Sequence, residues 1–208
     1  MKILICDDHA IVRDGIRRIL SEIDEIKLFK EAGDANELFN ILSVENFDIL
    51  LLDISLPDKS GLEILESLKI KYPSLKVLIL SSHSQEQYEI RSLKLGASGY
   101  ITKSNTSDEL IGAIKKISLG GKIVSESLAE NMALHIGKYF FQNKHELLSS
   151  REFEIMIKLA NGKHLQEIGD ELFISNKTVG TYRSRILKKI NLKNNIELAK
   201  YCIENNLI

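Results

Sequence analysis

The alternation of two patterns over residues 1–120 most constrains the fold of this chain. Short apolar runs at residues 3–6, 26–30, 49–52, 77–80 and 100–101 alternate with helical periodicity at 11–23, 35–42, 61–70, 85–95 and 107–119. Strands that alternate with helices of this length indicate βαβ units and a parallel sheet. The runs at 49–52 and 77–80 are apolar throughout, which is typical of strands buried on both faces. We therefore expect an α/β domain over residues 1–120.

The C-terminal part of the chain has helical periodicity instead. Four helices are predicted there, at residues 150–160, 165–172, 176–190 and 194–205. Ser149 and Ser150 with Glu152 resemble a capping arrangement at the start of the first of them. Residues 121–147 are interpreted as a linker with a partial helix at 128–136 and an aromatic cluster at 139–141. The expected division is an α/β domain at 1–120, a linker at 121–147 and an all-α four-helix domain at 148–208.

The composition of the 208-residue chain excludes several classes of protein. Hydrophobic residues make up 44% and charged residues 27%, which is typical of globular domains and not of disordered or collagen-like chains. No apolar run reaches the roughly 18–20 residues that span a bilayer, and the N-terminus resembles a strand more than a signal peptide. We therefore expect a cytoplasmic protein without a membrane partner.

Cys6 and Cys202 are predicted to be buried free thiols. Outside residue 83, the histidines show no metal-ligand spacing.

A basic segment near the C-terminus points to a polyanionic partner. Residues 172–196 contain no acidic residue and six basic ones. On a helix over 176–190, Val179, Ile186 and Ile190 share one face, and polar and basic residues occupy another. A second helix braced by the one before it fits a helix-turn-helix, whose second helix enters the DNA major groove. The charge alone fits a solvated helix face equally well.

Polar residues follow several of the predicted strands. Asp7 and Asp8 follow the first strand, Asp53 the third, Ser81 the fourth and Lys103 the fifth. Each of these residues, taken alone, is common in turns, at helix caps or on protein surfaces. In open α/β sheets, however, ligands bind at the carboxyl ends of the strands. Clustered carboxylates favour Mg²⁺, a carboxylate can accept a phosphoryl group, and a lysine can neutralise its oxygens.

These residues, together with the segment Asp-Ile-Ser-Leu-Pro at 53–57, Gly61, and Gly-Tyr-Ile-Thr-Lys at 99–103, resemble the CheY-like receiver family. The resemblance covers residues 1–120 and implies a flavodoxin-like (βα)5 doubly wound fold. It implies that Asp53 is the phosphoacceptor and that Lys103 contacts the phosphoryl group. Ser81 and Tyr100 would form a switch pair, the ring turning inward as the hydroxyl moves to the phosphate. The implied Mg²⁺ ligands are Asp7, Asp8, Asp53 and the backbone carbonyl of Ser55.

Residues 148–208 are similar to the NarL/FixJ (LuxR-type) output domain. The similarity rests on Leu-Ser-Ser-Arg-Glu at 148–152, Leu-Ala-Asn-Gly at 159–162, Leu-Phe-Ile-Ser at 172–175 and Lys-Thr-Val at 177–179. Many members carry a lysine after that last motif, where this chain has Gly180, so their base contacts do not transfer directly. Thr181 and Arg185 are candidates for base readout. The full set expected to contact DNA is Lys177, Thr178, Thr181, Tyr182, Arg183, Arg185, Lys188 and Lys189. In the final helix, Leu198, Tyr201, Cys202 and Ile203 recur at helical spacing, and this face serves either dimerisation or packing within the domain.

Together the two resemblances imply a two-component response regulator, a phosphorylation-controlled transcription regulator and not a turnover enzyme. The implied partners are a sensor histidine kinase, double-stranded promoter DNA and a second copy of the chain, with RNA polymerase as a further candidate. Two alternatives stay open. An aspartate-nucleophile phosphatase of the haloacid-dehalogenase type would need a second aspartate two residues after the nucleophile, where Ser55 lies, and would turn over small phosphoesters. A phosphate-independent dimerisation module would show no Mg²⁺-dependent phosphorylation.

Overall fold

The computed structural model describes residues 1–57, 59–82, 86–134 and 143–208, with the side chains of 131–134 left out. The chain divides into two compact units, Met1–Ala129 and Glu130–Ile208. Among its described residues the first unit contains five strands: β1 Lys2–Cys6, β2 Leu28–Ala32, β3 Ile49–Asp53, β4 Lys76–Ser81 and β5 Gly99–Thr102. Its helices are α1 Ala10–Leu20, α2 Ala35–Val44, α3 Gly61–Lys71, α4 Glu86–Lys94 and α5 Ser107–Ser118. Helix α6, Glu126–Leu134, begins in this unit and crosses the boundary.

All five strands pair in parallel, in the order β2-β1-β3-β4-β5. This is the flavodoxin-like order, so the α/β doubly wound prediction is confirmed. The central strand β3 is buried at every position, as its continuous apolar run predicts. The order brings the ends of β1 and β3 together as neighbours, and this adjacency positions the candidate site described below.

The second strand lies two residues later than the sequence predicts. The apolar residue Ile26 suggested a strand over 26–30, but β2 runs from Leu28 to Ala32, paired with β1. Ile26 instead packs against the core from the preceding turn, where its N–H donates to Ile23 O at 3.1 Å. The edge strand carries Lys30 and Glu31, so its polar composition concealed the true bounds.

Over residues 143–208 the second unit contains four helices, α7 Ser150–Ala160, α8 Leu165–Glu171, α9 Asn176–Ile190 and α10 Asn195–Glu204, after a 3-10 turn at Lys144–Leu147. The four-helix prediction is confirmed. Ser149 and Glu152 form the predicted capping box at the start of α7. On α10 the alternative of packing within the domain holds for Leu198 and Cys202, which are fully buried, whereas Ile203 is exposed. Packing of α10 on α7 covers this part of its apolar face.

Two further expectations concern cysteines and the linker. Cys6 and Cys202 are buried free thiols, as predicted. The partial helix expected at 128–136 corresponds to α6, although residues 135 and 136 lie outside the described part of the chain, as does the aromatic cluster at 139–141. Among the described residues, no helix combines the length and the apolar character needed to cross a bilayer.

Candidate functional site

The carboxyl ends of β1, β3 and β5 meet in a buried acidic pocket. Asp7 is fully buried directly after β1, and Asp53, the last residue of β3, is 1% exposed. Lys103 follows β5, and its Nζ lies 2.7 Å from Asp7 Oδ2 and 2.8 Å from Asp53 Oδ2. The sheet order makes β1 and β3 neighbours, so two carboxylates that are far apart in sequence share one cation.

The pocket also has the donor set that a hard divalent cation requires. Ligand atoms of Asp7, Asp8, His9 and Asp53 lie within 4.8 Å of one another. Apart from the Lys103 ammonium 2.7 Å away, the buried Asp7 Oδ2 meets no hydrogen-bond donor among the described residues. A buried anionic oxygen with so few donors is a natural ligand for Mg²⁺, which prefers carboxylates together with water. The residues present therefore fit the ion that the sequence predicts.

His9 is a member of this cluster that the sequence reasoning missed. Its Nδ1 lies 2.7 Å from Asp8 Oδ1 and 3.4 Å from Asp7 Oδ1. The available signal was its position directly after the two aspartates at the end of β1. Spacing rules for metal ligands did not detect it, because Asp53 joins the cluster from a distant part of the chain.

Opposing effects determine the protonation of Asp53. Burial raises the pKa of this carboxyl above its ordinary value, although the Lys103 ammonium and the backbone N–H of Ser55 lower it, and Asp7 adds to the rise. For Lys103, burial lowers the pKa, but the charges and hydrogen bonds of Asp53 and Asp7 outweigh burial and hold the pKa above its ordinary value. Lys103 is therefore a fixed cation, and it keeps Asp53 more ionised than burial alone would allow.

Lys103→Met should move the titration of Asp53 to higher pH, because Lys103 supplies both of the largest effects that lower this pKa. The ionised fraction of Asp53 at neutral pH should fall accordingly. Carboxyl-detected NMR titration of the Mg²⁺-free protein measures this, with the exposed residue Lys27 changed to Met as the control. An Asp53 midpoint that stays at or below its position in the unchanged protein would contradict this account of the pocket.

A tight loop after β3 fixes the position of Asp53. Ser55 and Ser60 form an antiparallel bridge, and Gly61 at the start of α3 donates its N–H to Ile54 O at 2.8 Å. A Cβ at Gly61 would lie 2.1 Å from the carbonyl oxygen of Asp53, so only glycine allows α3 to begin this close to the strand.

Gly61→Ala should destabilise the first unit by about 1–3 kcal/mol, because backbone atoms must move to admit the methyl group. Gly112→Ala is the matched control, since a Cβ at that helical glycine meets no atom within 4 Å. The control should be neutral or stabilise the unit by about 0.5–1 kcal/mol. Chemical denaturation measures both. Equal stability of the two variants would show that the close approach to Asp53 is not tight in solution.

Tyr100 and Ser81, the predicted switch pair, lie together beside the pocket. Ser81 is fully buried at the end of β4, and Tyr100 on β5 is 6% exposed, so its ring points inward. Burial raises the pKa of Tyr100 to about 12, opposed by a hydrogen bond with the Ser81 side chain and augmented by the nearby carboxylates of Glu89 and Asp53. The Tyr100 hydroxyl is therefore neutral and hydrogen-bonded at physiological pH.

Helices α8 and α9 form a tight helix-turn-helix. The turn is closed by Ile174 N–H donating to Gly169 O at 2.9 Å, and Phe173 adopts a positive φ of 53°. A Cβ at Gly169 would lie 2.7 Å from Ile174 O, so this glycine allows the turn to pack on α8. Val179, Ile186 and Ile190 of α9 are fully buried, which confirms the predicted packing face.

The predicted DNA-contact residues on α9 divide into two groups. Lys177, Thr178, Thr181, Tyr182 and Arg185 line a shallow open groove together with Ser175. Lys188 is exposed as well. By contrast, Arg183 Nε donates to Asn195 Oδ1 at 2.7 Å, and Lys189 Nζ donates to Glu152 Oε2 at 2.6 Å. The second group therefore has structural partners within the unit.

Comparison with known proteins decides the family. Residues 3–115 match the response regulator receiver domain, and residues 146–202 match the luxR family of bacterial regulatory proteins. Over the whole chain the protein is 31% identical to the response regulator GacA of Pseudomonas aeruginosa, covering 98% of that protein, and 31% identical to the response regulator UvrY of Escherichia coli, covering 95%. The chain belongs to the response regulators.

A solved structure of similar organisation is that of another response regulator, RcsB from Salmonella enterica serovar Typhimurium. That protein, bound to promoter rprA in the presence of phosphomimetic BeF3−, is 26% identical with a TM-score of 0.66, and the similarity covers 97% of each chain. In the present response regulator, the acidic pocket lies in the receiver match and the helix-turn-helix lies in the luxR match. The two candidate sites thus belong to separate matched regions.

Proposed function

We propose that this response regulator is a phosphorylation-controlled, DNA-binding transcription regulator, in which Asp53 accepts a phosphoryl group from a sensor histidine kinase. The observation that most directly supports this proposal is that the buried Asp53 carboxylate lies 2.8 Å from Lys103 Nζ and beside Asp7. In this proposal residues 1–120 are the receiver, 121–147 the linker and 148–208 the DNA-binding domain.

The proposed chemistry uses the pocket as it stands. A carboxylate oxygen of Asp53 attacks phosphorus, an O–P bond forms, and the bond from phosphorus to the kinase histidine nitrogen breaks. Lys103 moves its ammonium from the two carboxylates to the oxygens of the incoming group, where it stabilises their charge. Asp7, Asp8, Asp53 and the Ser55 carbonyl would hold Mg²⁺, which supplies charge neutralisation when bound.

The switch pair would then respond to the new acyl phosphate. Ser81, at the end of β4, would donate its hydroxyl to a phosphoryl oxygen, and its oxygen could still accept the hydrogen bond of the Tyr100 hydroxyl. These contacts would favour the inward pose of the Tyr100 ring, and this changes the relative free energy of two receiver conformations. The position of Ser81 at the end of β4, in register with Thr102 of β5, supports this proposal.

We propose that the α9 groove binds promoter DNA and that a dimer engages two half-sites. The exposed basic and hydroxyl side chains of α9 support this, and so do the related structures of RcsB with DNA, one of which is described as two RcsB dimers bound to two parallel DNAs. Lys177 and Lys188 would contact phosphates, and Thr181 and Arg185 would read bases. Arg183 would reach DNA only if its hydrogen bond to Asn195 broke, and Lys189 only if its contact with Glu152 broke.

The remaining parts of the proposal follow the family. We propose a cytoplasmic regulator and not a turnover enzyme, because Ser55 cannot serve as the acid/base that an aspartate-nucleophile phosphatase needs two residues after its nucleophile. RNA polymerase remains a candidate partner. The test of the whole proposal is genome-wide mapping of bound DNA with and without phosphorylation. Discrete sites whose occupancy rises with phosphorylation are expected, and identical occupancy under both conditions would overturn the phosphorylation control.

Lys177→Ala and Arg185→Ala should weaken DNA binding in different ways. Loss of a phosphate contact at Lys177 should weaken binding evenly across sequences and reduce the salt slope of log K by about one. Loss of base readout at Arg185 should weaken the preferred site by about 1–3 kcal/mol and relax specificity at one position. Fluorescence anisotropy at several salt concentrations measures both. Lys200→Ala is the control, because that side chain is 76% exposed on α10; equal losses in all three variants would contradict the assignment.

A further inference from the structure

A buried carboxylate in α4 binds the beginning of the segment that leads out of the first compact unit. Glu89 is only 4% exposed, although it is ionisable. Its Oε1 accepts the backbone N–H of Ser125 at 2.6 Å, and its Oε2 accepts the Ser125 hydroxyl, also at 2.6 Å. A buried carboxylate needs donors of this kind, so the burial of Glu89 and the position of Ser125 depend on each other.

Ser125 also starts helix α6. Its hydroxyl oxygen accepts the N–H of Leu128 at 3.2 Å, and its carbonyl accepts the N–H of Ala129 at 2.9 Å, so Ser125 acts as the N-cap of the helix. Leu128, in the first turn, is 1% exposed. One side chain therefore joins the first turn of α6 to α4.

The chain before Ser125 is seated on β5. Ile123 N–H donates to Ser98 O at 2.9 Å. A Cβ at Gly99 would lie 2.6 Å from Ile123 Cβ, so glycine at this position makes room for Ile123. Residues 123–128 are thus held by backbone, side-chain and apolar contacts, all within the first unit.

Glu89 and Ser125 share a cavity with the switch tyrosine. A cavity of about 410 Å³ is lined by Glu89, Tyr100 and Ser125, together with residues of β5 and α5. The carboxylate of Glu89 is near enough to contribute to the raised pKa of the Tyr100 hydroxyl. A change in the pose of Tyr100 therefore alters the environment of the carboxylate that holds Ser125.

We propose that Glu89 and Ser125 form a latch that fastens the first turn of α6 to the receiver, and that the inward pose of Tyr100 favours the closed latch. The structure combines an inward Tyr100 with a closed latch. Because coupling between two sites is reciprocal, whatever favours the inward ring closes the latch, and whatever opens the latch disfavours the inward ring. The link to phosphorylation rests on the proposed function, whereas the latch itself does not.

A charge-swap experiment on the full chain tests the latch. Ser125→Asp retains a good N-cap residue but places a carboxylate against buried Glu89. Glu89→Gln combined with Ser125→Asp restores an amide donor facing a carboxylate. Ser43→Asp makes the same change at an exposed position on α2, away from the latch, and is the matched control. Amide hydrogen exchange is read at Ile123, Ser125 and Leu128, with Gly120 and Gly121 at the end of α5 as internal references.

The expected result is exchange at the three latch amides about tenfold faster or more in Ser125→Asp, because charged hydrogen bonds are lost. Exchange should return toward the original rate in the double variant and stay unchanged in Ser43→Asp. Equal exchange in Ser125→Asp and the unchanged protein would overturn the latch. Thermal unfolding of each variant separates opening of the latch from loss of the fold.

A second arm tests the coupling to Tyr100. Mg²⁺ with beryllofluoride, a stable phosphoryl mimic, should slow exchange at the latch amides of the unchanged protein but not of Tyr100→Ala or Asp53→Asn. Equal slowing in Tyr100→Ala, or no slowing in a protein that native mass spectrometry shows to carry beryllofluoride, would overturn the coupling. If no beryllofluoride binds, the proposed phosphoacceptor fails, and the charge-swap arm still decides the latch.

Discussion

Asp53→Asn is expected to abolish phosphoryl labelling by acetyl phosphate or by a kinase. The amide has no anionic oxygen to attack phosphorus, and the carboxylate of Asp53 is the one that Lys103 contacts at the end of β3. Labelling should fall to background, whereas Asp14→Asn should label normally because the Asp14 side chain is 64% exposed on α1. Phosphate-selective gel electrophoresis with and without Mg²⁺ measures this. Undiminished labelling of Asp53→Asn would remove Asp53 from the mechanism.

Asp53→Asn should remove the control of DNA binding by phosphorylation without removing DNA binding itself. Asp53→Asn should retain the basal affinity of the α9 groove for DNA, since the pocket and the groove lie in different matched regions. Only the increase that follows phosphorylation should disappear. Anisotropy titrations with and without acetyl phosphate test this, and retention of the increase in Asp53→Asn would show that another residue carries the control.

Arg151→Met is expected to have the largest effect on the stability of the second unit. Arg151 is 5% exposed, and its guanidinium donates to Glu154 Oε2 and to the carbonyl oxygen of Leu172, each at 2.9 Å. Removing it takes a partner from the buried Glu154 carboxylate and from the end of α8. Breaking a buried pair in this way costs about 3–5 kcal/mol, which is comparable to the total stability of roughly 5 kcal/mol for a small domain.

Two further variants make that result interpretable. Lys200→Met should leave stability within about 0.5 kcal/mol, as surface changes usually do. The combination of Arg151→Met with Glu154→Leu should recover most of the loss, because apolar replacement of a buried pair is often neutral. Urea denaturation followed by NMR signals of α7 and α8 measures all three. A midpoint for Arg151→Met equal to that of Lys200→Met would show that the pair contributes nothing.

The sheet and the pocket were predictable from sequence for a geometric reason. The carboxyl ends of parallel strands meet at one edge, so Asp7, Asp53 and Lys103 could be brought together without knowledge of any distance. The bounds of β2 could not be predicted in this way, because an edge strand with Lys30 and Glu31 lacks the apolar run that marks β3.

The remaining features depend on contacts that periodicity does not encode. Charged residues are expected at the surface, yet three of them are buried. Glu89 accepts hydrogen bonds from Ser125, Arg151 donates to the Leu172 carbonyl, and Glu154 accepts from Arg151. The sequence left dimerisation and packing within the domain open for α10 for a related reason. Periodicity identifies an apolar face, but only the packing of α7 decides whether Leu198 and Cys202 are covered.

The spacing of the pocket along the chain has a consequence for synthesis. The hydrogen bond between Lys103 and Asp53 joins residues 50 positions apart, and Asp7 lies near the start of the chain. N-terminal domains generally fold first as a chain emerges from the ribosome. Here Asp7 and Asp53 emerge long before Lys103. Both carboxylates therefore lack the Lys103 ammonium until β5 is added as the last strand of the sheet. A nascent chain stalled before residue 103 would therefore lack a competent pocket, and the ability to be phosphorylated should arise late and abruptly during translation.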